Sequence, residues 1–184
     1  MASVLIPLAD GFEELEAVTI IDLLRRAKVV VTVAGLNGTE PVTGSRGVRI
    51  LPDAALADVL GQAFDMITLP GGLPGADHLD RDPRIHQLLQ QMQAQGAYTT
   101  AICAAPRVLA NAGILNGKRA TGFPGQLESL PAQTFELVDA PVVVDGKVIT
   151  SKGPGTAMEF ALHLIEALCG KETRVAVEGP LQRS

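Results

Sequence analysis

The sequence predicts an α/β fold with a mainly parallel central sheet. Short apolar segments bounded by turn residues alternate with longer amphipathic segments along the chain. The first unit, with a strand over residues 4–8, a helix over 12–27 and a strand over 29–34, has the length of a right-handed β-α-β crossover. Apolar residues make up 47% of the 184 positions and run the whole length, so we expect a single domain over residues 1–184.

The first helix is predicted from its charge pattern and its apolar periodicity. Acidic residues cluster at its start and Arg25 and Arg26 at its end, which matches the helix macrodipole. One apolar stripe is expected to consist of Phe12, Leu15, Val18, Ile21 and Leu24, broadened by Ile20, Leu23 and Ala27.

The rest of the chain continues the alternation of strands and helices. Further strands are expected over residues 40–43, 48–51, 64–69, 98–102, 142–144 and 148–150. Further helices are expected over 83–95, 104–112, 156–168 and 172–177, and Met158, Ala161, Ile165 and Leu168 should share one face. Asp145-Gly146 is typical of a type I′ hairpin turn between the last two strands.

The composition argues against several classes of partner. The net charge is −5, no basic block is present, and aromatic residues are few, which disfavours a nucleic-acid surface. No apolar run approaches the roughly 20 residues of a membrane span, and the start lacks the features of a signal peptide. Two cysteines cannot form a dense disulfide framework, so a cytoplasmic chain with free thiols is expected.

Cys103 is the first candidate for chemistry, because it lies between a predicted strand and a predicted helix. Small residues on both sides permit the sharp turn that exposes a nucleophile. The adjacent helix N-terminus should favour the thiolate, since free N–H groups stabilise negative charge. The alternative is a buried structural cysteine.

Glu16 is the second candidate. It shares a helical face with Ile20, Leu23 and Ala27, where a carboxylate is costly unless it is paired or protonated. A protonated Glu16 can donate a hydrogen bond to the Cys103 thiolate. The alternative, a first-turn glutamate that only interacts with the helix dipole, is the preferred interpretation for Glu13 and Glu14.

The third candidate is Pro70-Gly71-Gly72, which follows a buried strand. Two glycines allow close backbone approach, and the N–H of Gly72 together with that of Ala104 would form an oxyanion hole. An ordinary strand-to-loop turn is the alternative. The segment is not a phosphate-binding loop, because the Gly-Lys-Ser/Thr ending is absent.

The remaining candidate ligands suggest neither a metal nor a cofactor. His86 and His163 fall within predicted helices and are interpreted as surface residues, whereas His78 follows the glycine loop and could approach the site. No Cys/His pair has the spacing of zinc ligands. Cys169 is interpreted as a packing residue.

These motifs, in this order and spacing, resemble the ThiJ/PfpI superfamily, in particular the branch of the parkinsonism-associated DJ-one and bacterial YajL-like proteins. The resemblance covers nearly the whole chain. It implies a flavodoxin-like fold, a homodimer, and activity without a metal or organic cofactor. The matching segments are Ala9-Asp10-Gly11-Phe12-Glu13-Glu14-Leu15-Glu16, Val33-Ala34-Gly35-Leu36, Leu69-Pro70-Gly71-Gly72, Ala101-Ile102-Cys103-Ala104-Ala105-Pro106 and Ser151-Lys152-Gly153-Pro154-Gly155-Thr156.

The resemblance also implies residue roles. Cys103 corresponds to the reactive, oxidisable cysteine and Glu16 to its protonated partner. The N–H groups of Gly72 and Ala104 correspond to donors to an anion or oxyanion. Arg46 matches an arginine that lies near the site at the dimer interface.

Two departures from the family pattern reduce the number of activities that the resemblance implies. Ala104 stands where protease-like members have histidine, which argues against a peptidase. Phe123, in Thr121-Gly122-Phe123-Pro124, replaces the histidine of human-like members, as in YajL-like proteins, and this removes a candidate general base. The His-Pro-Glu expected of a glutamine amidotransferase triad is also absent near the C-terminus.

Two functions remain open at this point. One is a Cys103-dependent deglycase or glyoxalase that acts on methylglyoxal or glyoxal, free or as adducts of proteins and nucleotides. The other is a redox sensor or oxidative-stress chaperone in which Cys103 is oxidised to sulfinate. An inert binding protein is disfavoured, because a strained, exposed turn would then serve no purpose.

Overall fold

The computed structural model describes residues 1–131 and 134–183 of the chain. Its strands are β1 (Ser3–Leu8), β2 (Val30–Gly35), β3 (Val42–Thr43), β4 (Arg49–Ile50), β5 (Ala54–Ala55), β6 (Met66–Leu69), β7 (Tyr98–Ile102), β8 (Arg119–Ala120), β9 (Glu136–Leu137), β10 (Val142–Asp145) and β11 (Val148–Ser151). Its α-helices are α1 (Glu14–Arg26), α2 (Leu56–Val59), α3 (Gly75–Arg81), α4 (Pro83–Ala94), α5 (Pro106–Asn111), α6 (Ala157–Cys169) and α7 (Lys171–Glu178).

A mainly parallel sheet forms the centre of the molecule, as predicted. Within the described ranges it contains seven strands in the order β10-β11-β7-β6-β1-β2-β5. Neighbouring strands are parallel except for the hairpin of β10 and β11. The strands β3 and β4 form a separate antiparallel pair, and β8 pairs with β9 in parallel.

Helices cover both faces of the sheet, because successive residues of a buried strand point to opposite sides. In β1, Val4, Ile6 and Leu8 belong to the apolar cluster that contains α1 and α6. Leu5 belongs to the second cluster, which contains residues of α2, α4 and α5. The predicted α/β fold with a mainly parallel sheet is confirmed.

The predicted apolar stripe of α1 is wrong at two positions. Leu15 and Val18 are 62% and 47% exposed, whereas the buried face carries Glu16, Ala17, Ile20, Leu23 and Leu24. The helix is apolar over a wider arc than one packing face requires, so periodicity alone does not identify the face that meets the sheet.

The face predicted for α6 is wrong at one of its four positions. Met158 is 38% exposed, while Phe160, Ala161, Leu164 and Ile165 are fully buried. As in α1, the apolar arc of the helix is broader than the face that packs against the sheet.

The hairpin of β10 and β11 turns one residue later than predicted. Asp145 pairs with Val148, so Gly146 and Lys147 are the two turn residues. In this turn φ is positive at Gly146 (63°) and not at Lys147. That pattern belongs to a type II′ turn, not to the predicted type I′ turn.

The short helices α2 and α3 were not predicted. Helix α3 contains only seven residues and begins at Gly75, directly after Pro74. Glycine and proline are typical of turns, so the sequence favours a loop there. Tertiary packing determines the helix instead, because Ala76 and Leu79 are buried.

The three central strands direct their carboxyl ends towards one edge of the sheet. The loop after β1 leads into α1, the loop after β6 contains Gly71 and Gly72, and β7 ends at Ile102, next to Cys103. In open α/β sheets this edge is where ligands bind. No helix in the described residues is long and apolar enough to cross a membrane.

Candidate active site

Cys103 occupies a strained turn between β7 and α5. Its φ is +65°, a left-handed conformation that costs energy for a residue other than glycine. The turn is held because the Cys103 N–H donates to the Ser151 carbonyl at 2.9 Å and the Ala105 N–H donates to the Ile102 carbonyl at 3.0 Å. Cys103 is 8% exposed, so the thiol lies just beneath the surface.

Glu16 faces Cys103 from α1 and is completely buried. Its Oε2 accepts a hydrogen bond from the Gly71 N–H at 2.8 Å, and the Glu13 N–H donates to the Gly71 carbonyl at 2.9 Å. Within the described residues, Glu16 Oε1 is buried without a hydrogen-bond partner. Burial raises the pKa of Glu16 to about 7; hydrogen bonds from Gly71 and Cys103 act in the opposite direction, and the charge of Glu13 raises the pKa further.

The thiol and the carboxyl group titrate as a coupled pair. Burial, and then the charge of an ionised Glu16 and its hydrogen bond with the thiol, raise the pKa of Cys103 to about 12. The N–H groups of Gly72 and Ala104 hydrogen-bond to the sulfur and lower this pKa. The helix N-terminus alone therefore does not produce the expected thiolate. The thiolate is favoured when Glu16 keeps its proton, because the repulsion then disappears and the carboxyl group becomes a donor.

The glycine loop after β6 allows this close approach. A Cβ on Gly71 would lie 2.7 Å from the Cys103 Cβ and 2.9 Å from Glu16 Oε2. Gly72 has a φ of +88°, and a Cβ there would lie 2.3 Å from the Glu13 nitrogen. The predicted donors Gly72 and Ala104 thus converge, and in this structure they interact with the sulfur itself.

Glu14 organises the β3–β4 hairpin next to the site, a role that the sequence analysis missed. Its Oε1 accepts from the Arg46 N–H at 2.5 Å and the Val48 N–H at 3.3 Å, and its Oε2 accepts from the Ser45 hydroxyl at 3.1 Å. Burial alone would raise the pKa of Glu14, but these hydrogen bonds outweigh it and lower the pKa. The glycine at position 44 was a usable signal, because a Cβ there would overlap the Glu14 side chain.

The resemblance implies that Arg46 lies near the site at the dimer interface, and none of the hydrogen bonds or ion pairs of the described residues joins it to Cys103 within one protomer. The residue is exposed, and its guanidinium donates to the Ser45 carbonyl at 3.3 Å. Its backbone contributes to the hairpin through Glu14. An anion-binding role for the Arg46 side chain stays a prediction that involves a second protomer.

Phe123 lies beside the cysteine turn, and the histidines lie on other elements. The Phe123 N–H donates to the Cys103 carbonyl at 2.8 Å, and the residue is 46% exposed. His78 Nδ1 lies 3.1 Å from the Asp10 carbonyl oxygen, in the loop after β1. In the described residues no group of three or more His, Cys, Asp or Glu side chains is arranged to hold a metal ion.

The other two histidines and the second cysteine have local partners. His86 Nε2 lies 3.1 Å from Asp80 Oδ1. His163 Nδ1 lies 2.9 Å from the carbonyl oxygen of Glu159, one turn earlier in α6. Cys169 ends α6 and is partly buried, which raises the pKa of its thiol.

Comparison with known proteins identifies the family. The model of the DJ-1/PfpI family matches residues 2–167. The chain belongs to the DJ-1/PfpI family. It is 48% identical to protein dj-1beta of Drosophila melanogaster, and the alignment covers 92% of this chain and 91% of that protein. It is 41% identical to a Caenorhabditis elegans protein named glutathione-independent glyoxalase DJR-1.2, over 98% and 95% of the two chains.

Solved structures of the DJ-1/PfpI family agree with the fold. The crystal structure of Drosophila melanogaster DJ-1beta superposes with a TM-score of 0.95 at 46% identity, covering 100% of this chain and 98% of that one. A structure of oxidised Toxoplasma gondii DJ-1 superposes with a TM-score of 0.94 at 39% identity and covers both chains completely. The family resemblance and the flavodoxin-like fold inferred from the sequence are confirmed.

Proposed function

We propose that this protein is a glyoxalase or deglycase that uses Cys103 as its nucleophile and needs no organic cofactor. The observation that carries the proposal is the contact of a cysteine on a strained turn with a fully buried carboxyl group, Glu16, whose pKa is raised to about 7. A general acid-base with a pKa near neutrality suits proton transfer at physiological pH. A relative that is 41% identical bears the name of a glutathione-independent glyoxalase.

The proposed reaction begins with addition of the Cys103 thiolate to the aldehyde carbon of methylglyoxal or glyoxal. The Sγ–C bond forms, and the carbonyl oxygen takes the proton of Glu16 to give a hemithioacetal. The ionised Glu16 then removes the proton on that carbon and returns it to the neighbouring carbonyl carbon. The hydroxyl proton passes from the first oxygen to the second through the enediol, so a 2-hydroxy thioester forms.

Water completes the cycle. It adds to the thioester carbonyl, the C–Sγ bond breaks, and the 2-hydroxy acid leaves while the sulfur regains its resting state. The N–H groups of Gly72 and Ala104, which hold the sulfur in the free protein, would stabilise the oxyanion. The net change is aldehyde plus water to hydroxy acid, so no external oxidant is needed. For an adduct on a protein or nucleotide amine, the Sγ–C bond would form as the C–N bond breaks, and the amine would leave with the proton of Glu16; the same hemithioacetal results and the later steps are unchanged.

Phe123 makes Glu16 the central proton carrier in this scheme. The Phe123 backbone N–H donates to the Cys103 carbonyl, and its phenyl ring, which replaces the imidazole of human-like members, cannot exchange protons. Peptidase activity is not proposed, because Ala104 replaces the histidine of protease-like members.

The proposal is tested by the formation of lactate from methylglyoxal. We expect Cys103→Ala and Glu16→Gln to abolish turnover, while Cys169→Ser, the matched cysteine control, keeps it. The wild-type pH profile should reflect Glu16 with an apparent pKa near 7. Full turnover by Cys103→Ala would contradict the assignment, as would a wild-type protein without activity on free glyoxals and on glycated peptides.

A redox sensor or oxidative-stress chaperone is the second candidate. A specific arrangement favours it: two backbone N–H groups and a carboxyl group surround the Cys103 sulfur and could hold the oxygens of a sulfinate. A structure of a 39% identical relative is of an oxidised DJ-1. After mild peroxide we expect the intact mass to rise by two oxygen atoms, and the gain should disappear in Cys103→Ala. Oxidation at Cys169 instead would exclude a sensor based on Cys103.

We also propose that the protein is a homodimer. Leu15 and Val18 on α1, together with Val48 and Leu51 at the β3–β4 hairpin, are between 47% and 70% exposed. Glu14 ties the hairpin to the start of α1, which brings these side chains to one region. An exposed apolar patch of this kind is typical of a protein interface.

The oligomeric state is measured by sedimentation equilibrium. We expect a dimer for the wild type and a monomer for Leu15→Glu/Val18→Glu. Val144→Glu, at an equally exposed residue of the edge strand β10, is the control and should remain dimeric. A monomeric wild type at micromolar concentration would contradict the proposal.

A further inference from the structure

Arg107 connects three segments that lead to the surroundings of Cys103, namely α5, α3 and the loop that contains Gln126. It lies in the first turn of α5, four residues after Cys103, and forms an ion pair with Asp77 of α3. Its Nη1 also donates to the side-chain oxygen of Gln126 at 3.3 Å. The side chains of Arg107 and Asp77 are only 23% and 28% exposed, so the pair is partly shielded from solvent.

Each partner of Arg107 is close in sequence to a residue that holds the cysteine. Helix α3 begins at Gly75, three residues after the donor Gly72, and the Ala76 N–H donates to the Gly72 carbonyl at 2.9 Å. On the other side, the Gln126 N–H donates to the Phe123 carbonyl at 3.0 Å, and Phe123 in turn donates to Cys103.

We propose that Arg107 is a positioning residue that keeps the N–H groups of Gly72 and Ala104 aimed at the Cys103 sulfur. It does so by joining α3, α5 and the loop of residues 121–126 through one guanidinium. A guanidinium is suited to this task because its separate nitrogens reach two partners at once, with Nη2 paired to Asp77 and Nη1 donating to Gln126. The inference rests on the proposed role of Cys103 as the nucleophile, but it concerns the free protein.

The consequence should be measurable in the ionisation of the thiol. Hydrogen bonds weaken steeply when the donor turns away from the acceptor, so a small rotation of α3 relative to α5 would weaken the donor from Gly72. The thiolate would then lose stabilisation. The titratable groups that act on the thiol are Glu16, in α1, and through it Glu13, the residue directly before α1. The partners of Arg107, Asp77 and Gln126, lie on other elements.

Two substitutions distinguish a positioning role of Arg107 from a purely electrostatic one, because the two explanations predict different directions for the shift of the Cys103 pKa. Arg107→Gln removes a positive charge and Asp77→Asn removes a negative charge. If the pair acts only through its charges, the first raises the pKa of Cys103 and the second lowers it. If the pair positions the donors, both substitutions raise that pKa.

The test is the pH dependence of the alkylation rate of Cys103 with iodoacetamide, in a Cys169→Ser background. We expect Arg107→Gln and Asp77→Asn each to raise the thiol pKa by about one unit, which slows alkylation about tenfold below the pKa. The charge-reversed double variant, Arg107→Asp with Asp77→Arg, should recover most of the lost rate. Arg81→Gln, an exposed arginine of the same cavity of about 340 Å³, is the matched control and should not change it.

Opposite shifts for Arg107→Gln and Asp77→Asn, or equal shifts for Arg107→Gln and Arg81→Gln, would overturn the inference. Circular dichroism and thermal melts verify that each variant is folded. If Arg107→Gln does not fold, Asp77→Asn and Gln126→Ala still test the positioning role of Arg107, because the inference requires both to raise the thiol pKa. No substrate is used, so a failure here is distinct from a failure of the proposed glyoxalase activity.

Discussion

Replacing Glu16 by glutamine should remove a specific pH dependence of stability. Burial raises the pKa of Glu16 from 4.5 to about 7 in the folded protein. Between these pH values the folded state holds a proton that the unfolded state has released, so the free energy of unfolding falls as the pH rises. A difference of about 2.5 pKa units, at about 1.4 kcal/mol per unit, corresponds to a loss of about 3 kcal/mol.

The effect is measured by urea unfolding at pH 5, 6, 7 and 8. A Cys103→Ala background is used, because the thiol otherwise titrates together with the carboxyl group. Cys103→Ala should lose about 2.5 kcal/mol over this range relative to Cys103→Ala/Glu16→Gln, because the range begins above the unfolded pKa of 4.5. Glu13→Gln should reduce the loss only slightly, because the charge of Glu13 is the smallest of the effects on the pKa of Glu16. Identical pH profiles with and without Glu16 would refute the reasoning.

Three further predictions follow from contacts around the site and at the C-terminus. Gly71→Ala places a Cβ 2.7 Å from that of Cys103; it should cost about 1–3 kcal/mol in chemical unfolding and slow thiol alkylation at least tenfold. Glu14→Gln should accelerate hydrogen exchange of the hairpin amides, and because the pKa of Glu14 is lowered, the wild-type protection should itself decline as the pH falls below the ordinary glutamate pKa of 4.5. Arg174→Ala, which breaks the ion pairs of this α7 residue with Glu159 and Glu166 of α6, should lower Tm by a few degrees, less so in high salt, without altering the thiol.

The sequence predicted best those elements whose signals are local. Strand β7 extends over Tyr98–Ile102 as expected, because β-branched and apolar residues there stand between two glycine- or alanine-rich turns. Helix α4 begins at Pro83 with the side chain of Asp82 accepting a hydrogen bond from the Arg84 N–H. Both boundaries depend on residues within one turn of the element.

The errors in the prediction concern features that depend on tertiary contacts, such as which face of a helix is buried. The predicted apolar arc of α1 is wider than the buried side, which carries Ala17, Ile20 and Leu24. Leu15 and Val18 on the adjoining side remain exposed. Nothing in a helical period distinguishes a face for the core from a face for another protomer.

Some features of the candidate site could be predicted from the sequence and others could not. Cys103, Glu16 and the glycine loop could be predicted together, since the carboxyl ends of neighbouring parallel strands must meet. The electrostatic balance could not be predicted, because the sign of the thiol pKa shift depends on whether Glu16 carries a proton. The role of Glu14 was equally hidden, since its partners lie more than thirty residues away in the β3–β4 hairpin.

The hydrogen bond from Cys103 to Ser151 has a consequence for the newborn protein. The turn that exposes the thiol is pinned by a strand that leaves the ribosome nearly fifty residues after the cysteine. Glu16 and the Gly72 N–H, which also interact with the thiol, lie in earlier segments of the chain. These segments come together only when the central sheet forms. While the chain is still being synthesised, the turn around Cys103 therefore lacks the hydrogen bond that fixes it. The arrangement of Cys103, Glu16 and the glycine loop is complete only when β11 has joined β7.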